Sequence, residues 1–166
     1  MNDVTFAAAF AKELDMEARA TEKCLERIDQ KFFEFKPHEK SMVMGYLAHL
    51  VAEIPLWTAH MLTNGDIDFV NFEHAKLNNG QELANHFREN VAKAKDALQK
   101  VKEGDLAQPF SLKNNGQVLF TSTKKEVIEQ NTNHMVHHRG QLTVYMRLND
   151  IAVPSIYGPS ADDRSF

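Results

Sequence analysis

Apolar residues recur at helical spacing along four long stretches of the chain. In the first, Ala7, Phe10, Leu14, Ala18, Leu25, Ile28 and Phe32 fall mostly three or four residues apart, with Thr21 interrupting the row. Such spacing places side chains on one face of a helix. It predicts a helix that ends near Phe35, ahead of Pro37. The second stripe runs through Val43, Leu47, Leu50, Ile54, Trp57 and Met61 without a break. Pro55 lies inside it and predicts a bend, because an interior proline removes one backbone hydrogen bond. The third helix is predicted from about Gln81 to Val101, through Leu83, Phe87, Val91, Ala94 and Leu98, with Gly104 as a stop. The fourth is predicted from about Thr123 to Asn149. Its stripe reads Val127, Asn131, His134, His138, Gln141, Tyr145 and Leu148.

This fourth stripe departs from the others, since half of its inward positions are polar. Burying polar groups is costly unless they find partners. A metal ion held by histidines, with hydrogen-bonded neighbours around it, supplies such partners. His134 and His138 are four residues apart and so project from one face, roughly 5–6 Å between Cβ atoms. That gap suits two imidazoles at N–metal distances of about 2.0–2.1 Å. A third histidine, His49, lies in the apolar helical run Gly45-Tyr46-Leu47-Ala48-His49-Leu50-Val51. If helices two and four pack together, these three form a metal site. The plain alternative is a helix face bearing surface histidines; Asn131 and Gln141 on the same stripe favour the metal.

Neighbouring residues take lesser roles. His137 turns about 100° away from His138 and reads as a flanking or surface residue. Glu53, one turn from His49, is a candidate general base, fourth ligand or hydrogen-bond acceptor, or else an ordinary paired carboxylate. His60 reads as a residue of the pocket rim, and His38, His74 and His86 as surface. Cys24 falls off the main stripe of helix one and reads as a buried or half-buried thiol, not a nucleophile. Trp57 reads as core.

Two short apolar runs, Gln108–Leu112 and Gln117–Phe120, flank Asn114-Asn115-Gly116 and predict a small β-hairpin before helix four. The long link from Thr63 to Gly80 allows helices two and three to run parallel, as in bundles with a crossover. The tail from Ile151 to Phe166 contains Pro154, Gly158 and Pro159 and reads as extended. The expected fold class is all-α: a four-helix bundle with a crossover between helices two and three and a small hairpin, in one domain over residues 1–166.

Composition narrows the function. Net charge is −4 and no Lys/Arg-rich run occurs, so nucleic acid is an unsuitable partner. No basic and apolar leader opens the chain, and no apolar run reaches 18 residues, so neither a signal peptide nor a membrane span is expected. Cys24 is the single cysteine; an intramolecular disulfide is excluded, which fits a reducing compartment. There is no Gly-rich phosphate loop, no G-x-S-x-G, no CxxC and no H-E-x-x-H. Glu129 precedes His134 by five residues, which does not match the Glu-x-x-His of di-iron bundles.

The chain resembles the DinB family, also called DinB/YfiT-like metalloenzymes. The resemblance is carried by Phe35-Lys36-Pro37-His38-Glu39-Lys40-Ser41, by Gly45-Tyr46-Leu47-Ala48-His49-Leu50, by Asn133-His134-Met135-Val136-His137-His138-Arg139-Gly140-Gln141-Leu142, and by the closing Val153-Pro154-Ser155-Ile156-Tyr157-Gly158-Pro159-Ser160. It spans essentially the whole chain. One departure is the lack of tryptophan in helix one. The resemblance implies a down-up-up-down bundle and a divalent metal (zinc, nickel or iron) held by His49, His134 and His138. It also implies a bacterial, cytoplasmic protein that forms homodimers and acts on a small molecule. Better-understood relatives are metal-dependent transferases or isomerases using low-molecular-weight thiols such as bacillithiol or mycothiol. Three protein ligands leave a tetrahedral ion one open position. The expected activity is thiol-dependent transfer or hydrolysis; the alternative is a non-catalytic metal- or ligand-binding stress-response protein with a structural metal.

Overall fold

A computed structural model describes residues 1–165. Four helices dominate it: α1 (Asp3–Glu26), α2 (Met44–Thr63), α3 (Gly80–Gln99) and α4 (Lys124–Leu148). Three short strands accompany them: β1 (Ile67–Asp68), β2 (Pro109–Asn114) and β3 (Gln117–Thr123). The fold is therefore mostly helical with a small sheet, and the expectation of an all-α chain is corrected to that extent. Helix α1 packs on α3, α3 on α2 and α2 on α4, while α4 meets α1 more loosely.

Local chemistry starts three of the helices. The side chains of Asn2, Asn79 and Thr123 accept the backbone N–H groups of Thr5, Glu82 and Glu126. In α4, Glu126 reaches back to the Thr123 N–H, closing a reciprocal cap. Helix α2 has no such side chain, since its N-cap is Val43. Instead its first amides are satisfied from a distance: Met44 N–H donates to the Phe35 carbonyl at 2.7 Å and Gly45 N–H to the Phe33 carbonyl at 2.9 Å. This explains why α1 stops at Glu26 and not near Phe35. Residues after it form a 3-10 turn, Gln30–Phe32, capped by Asp29. The chain then folds back over the start of α2, whose unpaired amides need acceptors.

Helix α3 begins where α1 ends. A Cβ on Gly80 would stand 2.5 Å from the Glu26 carbonyl oxygen, so only glycine permits that approach.

The hairpin forms as its sequence predicts. Asn115 and Gly116 have φ of 51° and 77°, the left-handed pair that a two-residue turn requires. Asp68 secures the turn from outside by accepting the N–H of Asn115 at 2.9 Å and of Gly116 at 2.7 Å. These bonds hold its carboxyl below the usual carboxylate range. Strand β1 was not expected. It lies in the long link after α2 and pairs parallel with β2, Ile67 beside Leu112.

The main core joins all four helices around Leu25, Leu47, Val51, Phe87, Met135 and Leu142. A second cluster under the hairpin includes Phe6, Met61, Ile67, Phe110 and Val127. The tail through Ser165 is not extended, and Phe166 lies outside the described residues. The tail folds back through Asp162, which pairs with Arg147 at 2.5 Å and accepts the Val153 N–H at 2.8 Å.

Candidate metal centre

Helix periodicity puts His134, His138 and Gln141 on one side of α4, and their side chains meet. The Nε2 atoms of His134 and His138 stand 2.8 Å apart. His138 Nδ1 is 2.7 Å from Gln141 Oε1. An amide oxygen only accepts, so Nδ1 carries the proton and His138 Nε2 carries a lone pair. That lone pair points at the neighbouring imidazole. Burial, and then the nearness of His138 and His137, lower the His134 pKa and favour its neutral ring. Metal ligation needs that neutral form.

His49 is prepared in the same way from α2. Its Nδ1 lies 2.7 Å from the Gly45 carbonyl, so Nδ1–H donates and Nε2 keeps its lone pair. In this structure Nε2 accepts the Leu77 N–H at 3.3 Å. His49 and His134 line one cavity of about 580 Å³, along with Glu53, Trp57, Phe69 and His74. Among the described residues, no three His, Cys, Asp or Glu side chains converge closely enough to hold an ion as they stand. The structure thus joins His134 to His138 directly and brings His49 to the same cavity wall, but not into contact with them. The donor set nevertheless fits a divalent ion: His138 and His49 each have Nδ1–H donating to a protein oxygen, so the Nε2 lone pair, which here accepts from His134 and from the Leu77 N–H, is the one that would ligate, as in metal-binding histidines.

Glu53 is 3% exposed. One carboxylate oxygen accepts from His74 Nδ1 at 2.7 Å and the other from the Ala75 N–H at 3.3 Å. His74 is exposed, as its sequence surroundings read, and it also lines the cavity. Its position is set by the irregular link after α2, where no periodicity signals a partner. His86 departs from expectation. It is half-buried, its Nε2 is buried without a hydrogen-bond partner, and burial lowers its pKa. His38 and His137 are exposed, as read. His60 packs edge-on to Phe72 at 5.7 Å.

Two further residues are reassigned, and Cys24 is buried, as read. Asn131 spends its amide on Thr58 of α2 at 3.1 Å and not on the histidines. Trp57 is a cavity wall more than a core residue; its ring lies 5.7 Å from that of His134. Cys24 is fully buried within the main core, and burial pushes its thiol up to about 11. It is inert at neutral pH.

A helical domain with a small sheet and a histidine-lined cavity between α2, α4 and the link after α2 is the class this geometry defines. The chain belongs to the DinB family, whose model matches residues 1–164. It is 27% identical over 157 residues to the uncharacterized protein YrdA of Bacillus subtilis, covering 93% of this chain and 89% of that protein. Its fold is similar to crystal structures of two DinB-like proteins. For YjoA of Bacillus subtilis the TM-score is 0.68 at 21% identity, covering 94% of this chain and 99% of that one. For a protein of Bacillus cereus ATCC 10987 it is 0.66 at 21% identity, covering 89% and 95%. No described helix is long and apolar enough to cross a membrane.

Proposed function

We propose that this chain is a metal-dependent enzyme that activates a thiol, or else a water, against a small electrophile in the histidine-lined cavity. The observation that carries the reading is the His134–His138 pair: two Nε2 atoms 2.8 Å apart, one with its tautomer set by Gln141. His49, His134 and His138 are the residues that would hold a divalent ion such as zinc, nickel or iron. Such an ion, when bound, acidifies a thiol or water enough to supply a nucleophile at neutral pH.

The remaining groups have roles that follow from their contacts. Glu53 is committed to His74 and Ala75 and is not free to close the coordination shell, which supports an open position for substrate. By accepting the His74 Nδ1–H, Glu53 leaves His74 Nε2 as a proton acceptor on the cavity wall. We assign it the proton released when the thiol or water becomes a nucleophile. Cys24 takes no part, so the thiol comes from a low-molecular-weight cosubstrate. The down-up-up-down course of the helices, a homodimer and a cytoplasmic location complete the proposal; the long link between α2 and α3 supports the first of these.

Cobalt-substituted protein mixed with 2-mercaptoethanol tests the reading. A sulfur-to-metal charge-transfer band in the near ultraviolet, absent in His49→Ala and kept in Cys24→Ala, is the expected result. No band but an exchangeable water at the metal would shift the assignment to hydrolysis. Neither band nor exchangeable water would overturn catalysis in favour of a non-catalytic metal- or ligand-binding protein.

A further inference from the structure

A second cavity of about 320 Å³ opens beneath the hairpin. It shares Trp57, Phe69 and His134 with the histidine-lined cavity. The rest of its wall is largely Ile67, Phe110, Leu112, Phe120 and Val127. Strand pairing places Ile67, Leu112 and Phe120 side by side, so the sheet forms its roof while α2 and α4 form its floor. Only Gln130 and Asn131 bring polar side chains besides His134 and the indole of Trp57, and the Asn131 amide is already bonded to Thr58. No charged side chain lines it.

We propose that this lobe is a binding subsite for an uncharged, apolar group, an aryl ring or short alkyl chain, on the same small molecule whose reacting end sits at His134. The proposal rests on the metal-dependent reading above and specifies its substrate class. A lobe of this size has room for roughly ten waters at the density of the liquid. Its apolar wall offers them few hydrogen bonds, so an apolar group that displaces them gains affinity. A charged group would be left without a partner. The continuity of the two cavities at Trp57 and His134 favours one bifunctional ligand over two independent ones. Hydrophobic walls with a few polar groups that fix orientation are usual for small-molecule sites.

Trp57 is the only tryptophan of the chain and stands where the lobes meet, so its emission reports on both. Two titrations separate the subsite from the metal. In metal-free protein, straight-chain alcohols from propanol to octanol are followed by Trp57 fluorescence. In zinc-loaded protein, alkyl hydroxamates of increasing length are followed against acetohydroxamate. In both series, affinity is expected to rise about three- to fourfold per added methylene until the lobe is full, then level off. Val127→Phe, which narrows the lobe, should make that rise level off at a shorter chain while leaving acetohydroxamate binding intact. Because Val127 is buried, Phe120→Asp on the half-exposed rim provides a second variant and should weaken the longer chains at least tenfold.

Failure of acetohydroxamate to bind, with the alcohol series still climbing, would sink the metal reading and leave the subsite standing. A flat alcohol series, or a rise unchanged in both variants, would overturn the subsite. So would sedimentation showing a dimer that covers the hairpin and excludes the alcohols, which would give this face to a second copy of the chain.

Discussion

Helix α4 carries two polar insertions into the bundle, on adjacent residues, and they are treated in opposite ways. Arg139 is 2% exposed. Its guanidinium donates to Thr21 Oγ1 at 3.0 Å and to the Glu17 carbonyl at 3.2 Å, and its Nη1 lies 2.6 Å from Glu17 Oε2. Nη2 donates to the Tyr157 hydroxyl, which in turn donates to Glu17 Oε1, both at 2.9 Å. Burial and the Glu17 bond raise the Tyr157 pKa, keeping that donor protonated. This network joins α1, α4 and the tail and answers the buried charge from within the protein. The His134–His138 pair, one residue away, finds its partners only within its own helix. Its Nε2 atoms bond to each other at 2.8 Å at the edge of a cavity, and of the two outer nitrogens only His138 Nδ1 is anchored, on Gln141. A buried polar group satisfied by its own chain is a structural element. A pair of imidazoles bonded to each other at a cavity edge holds a lone pair for which a ligand would compete.

The largest test of this contrast is Arg139→Ala. Removing one partner strands the buried Glu17 carboxylate and should cost about 3–5 kcal/mol in urea unfolding. Replacing both partners together, Arg139→Met with Glu17→Leu, should recover most of that loss. By contrast, His134→Ala should change the stability of the metal-free protein by about 1 kcal/mol or less. It should instead lower metal content sharply in elemental analysis, as should His49→Ala and His138→Ala. Full occupancy in His134→Ala would erase the distinction between the two insertions.

Gln141→Ala probes the anchor alone. Loss of such an outer partner should weaken metal affinity about 10–100-fold without abolishing it, measured by competition with a chelator. The pH dependence sharpens the picture further. His134 and His86 have lowered pKa values in the folded state, so the unfolded chain takes up protons first as pH falls. Stability of the metal-free protein should therefore decline below about pH 6.5, and His134→Asn and His86→Asn should each reduce that slope. The smallest effect is expected from the exposed His137: His137→Ala should leave metal content unchanged. Loss of metal there but not in His138→Ala would mean the ligand face lies one residue over.

Much of the fold was legible because its signals are local. The stripes of α2, α3 and α4 predicted their bounds to within a few residues, and Asn115-Gly116 predicted the hairpin turn. The meeting of His134, His138 and Gln141 was legible for the same reason, since all three lie within two turns of one helix. The end of α1 was not, because Phe33 and Phe35 left the helix to cap the distant start of α2. Strand β1 was missed because two residues carry no usable alternation. Cys24 and Trp57 were placed by stripe membership alone, which does not reveal that one is sealed in the core and the other faces a cavity.

What the sequence determined by itself is the set of helices, the hairpin and the local anchoring of His138 and His49, because caps, periodicity and turn chemistry act over a few neighbouring residues. Tertiary structure alone decided which prepared groups meet. Glu53 finds His74 across 21 residues, Arg139 finds Glu17 across 122, and Trp57 finds His134 on another helix. It also decided that a second, apolar lobe opens beside His134. Those meetings depend on the path of the connecting links and on how the faces pack, and neither is written in the spacing of residues along any one element.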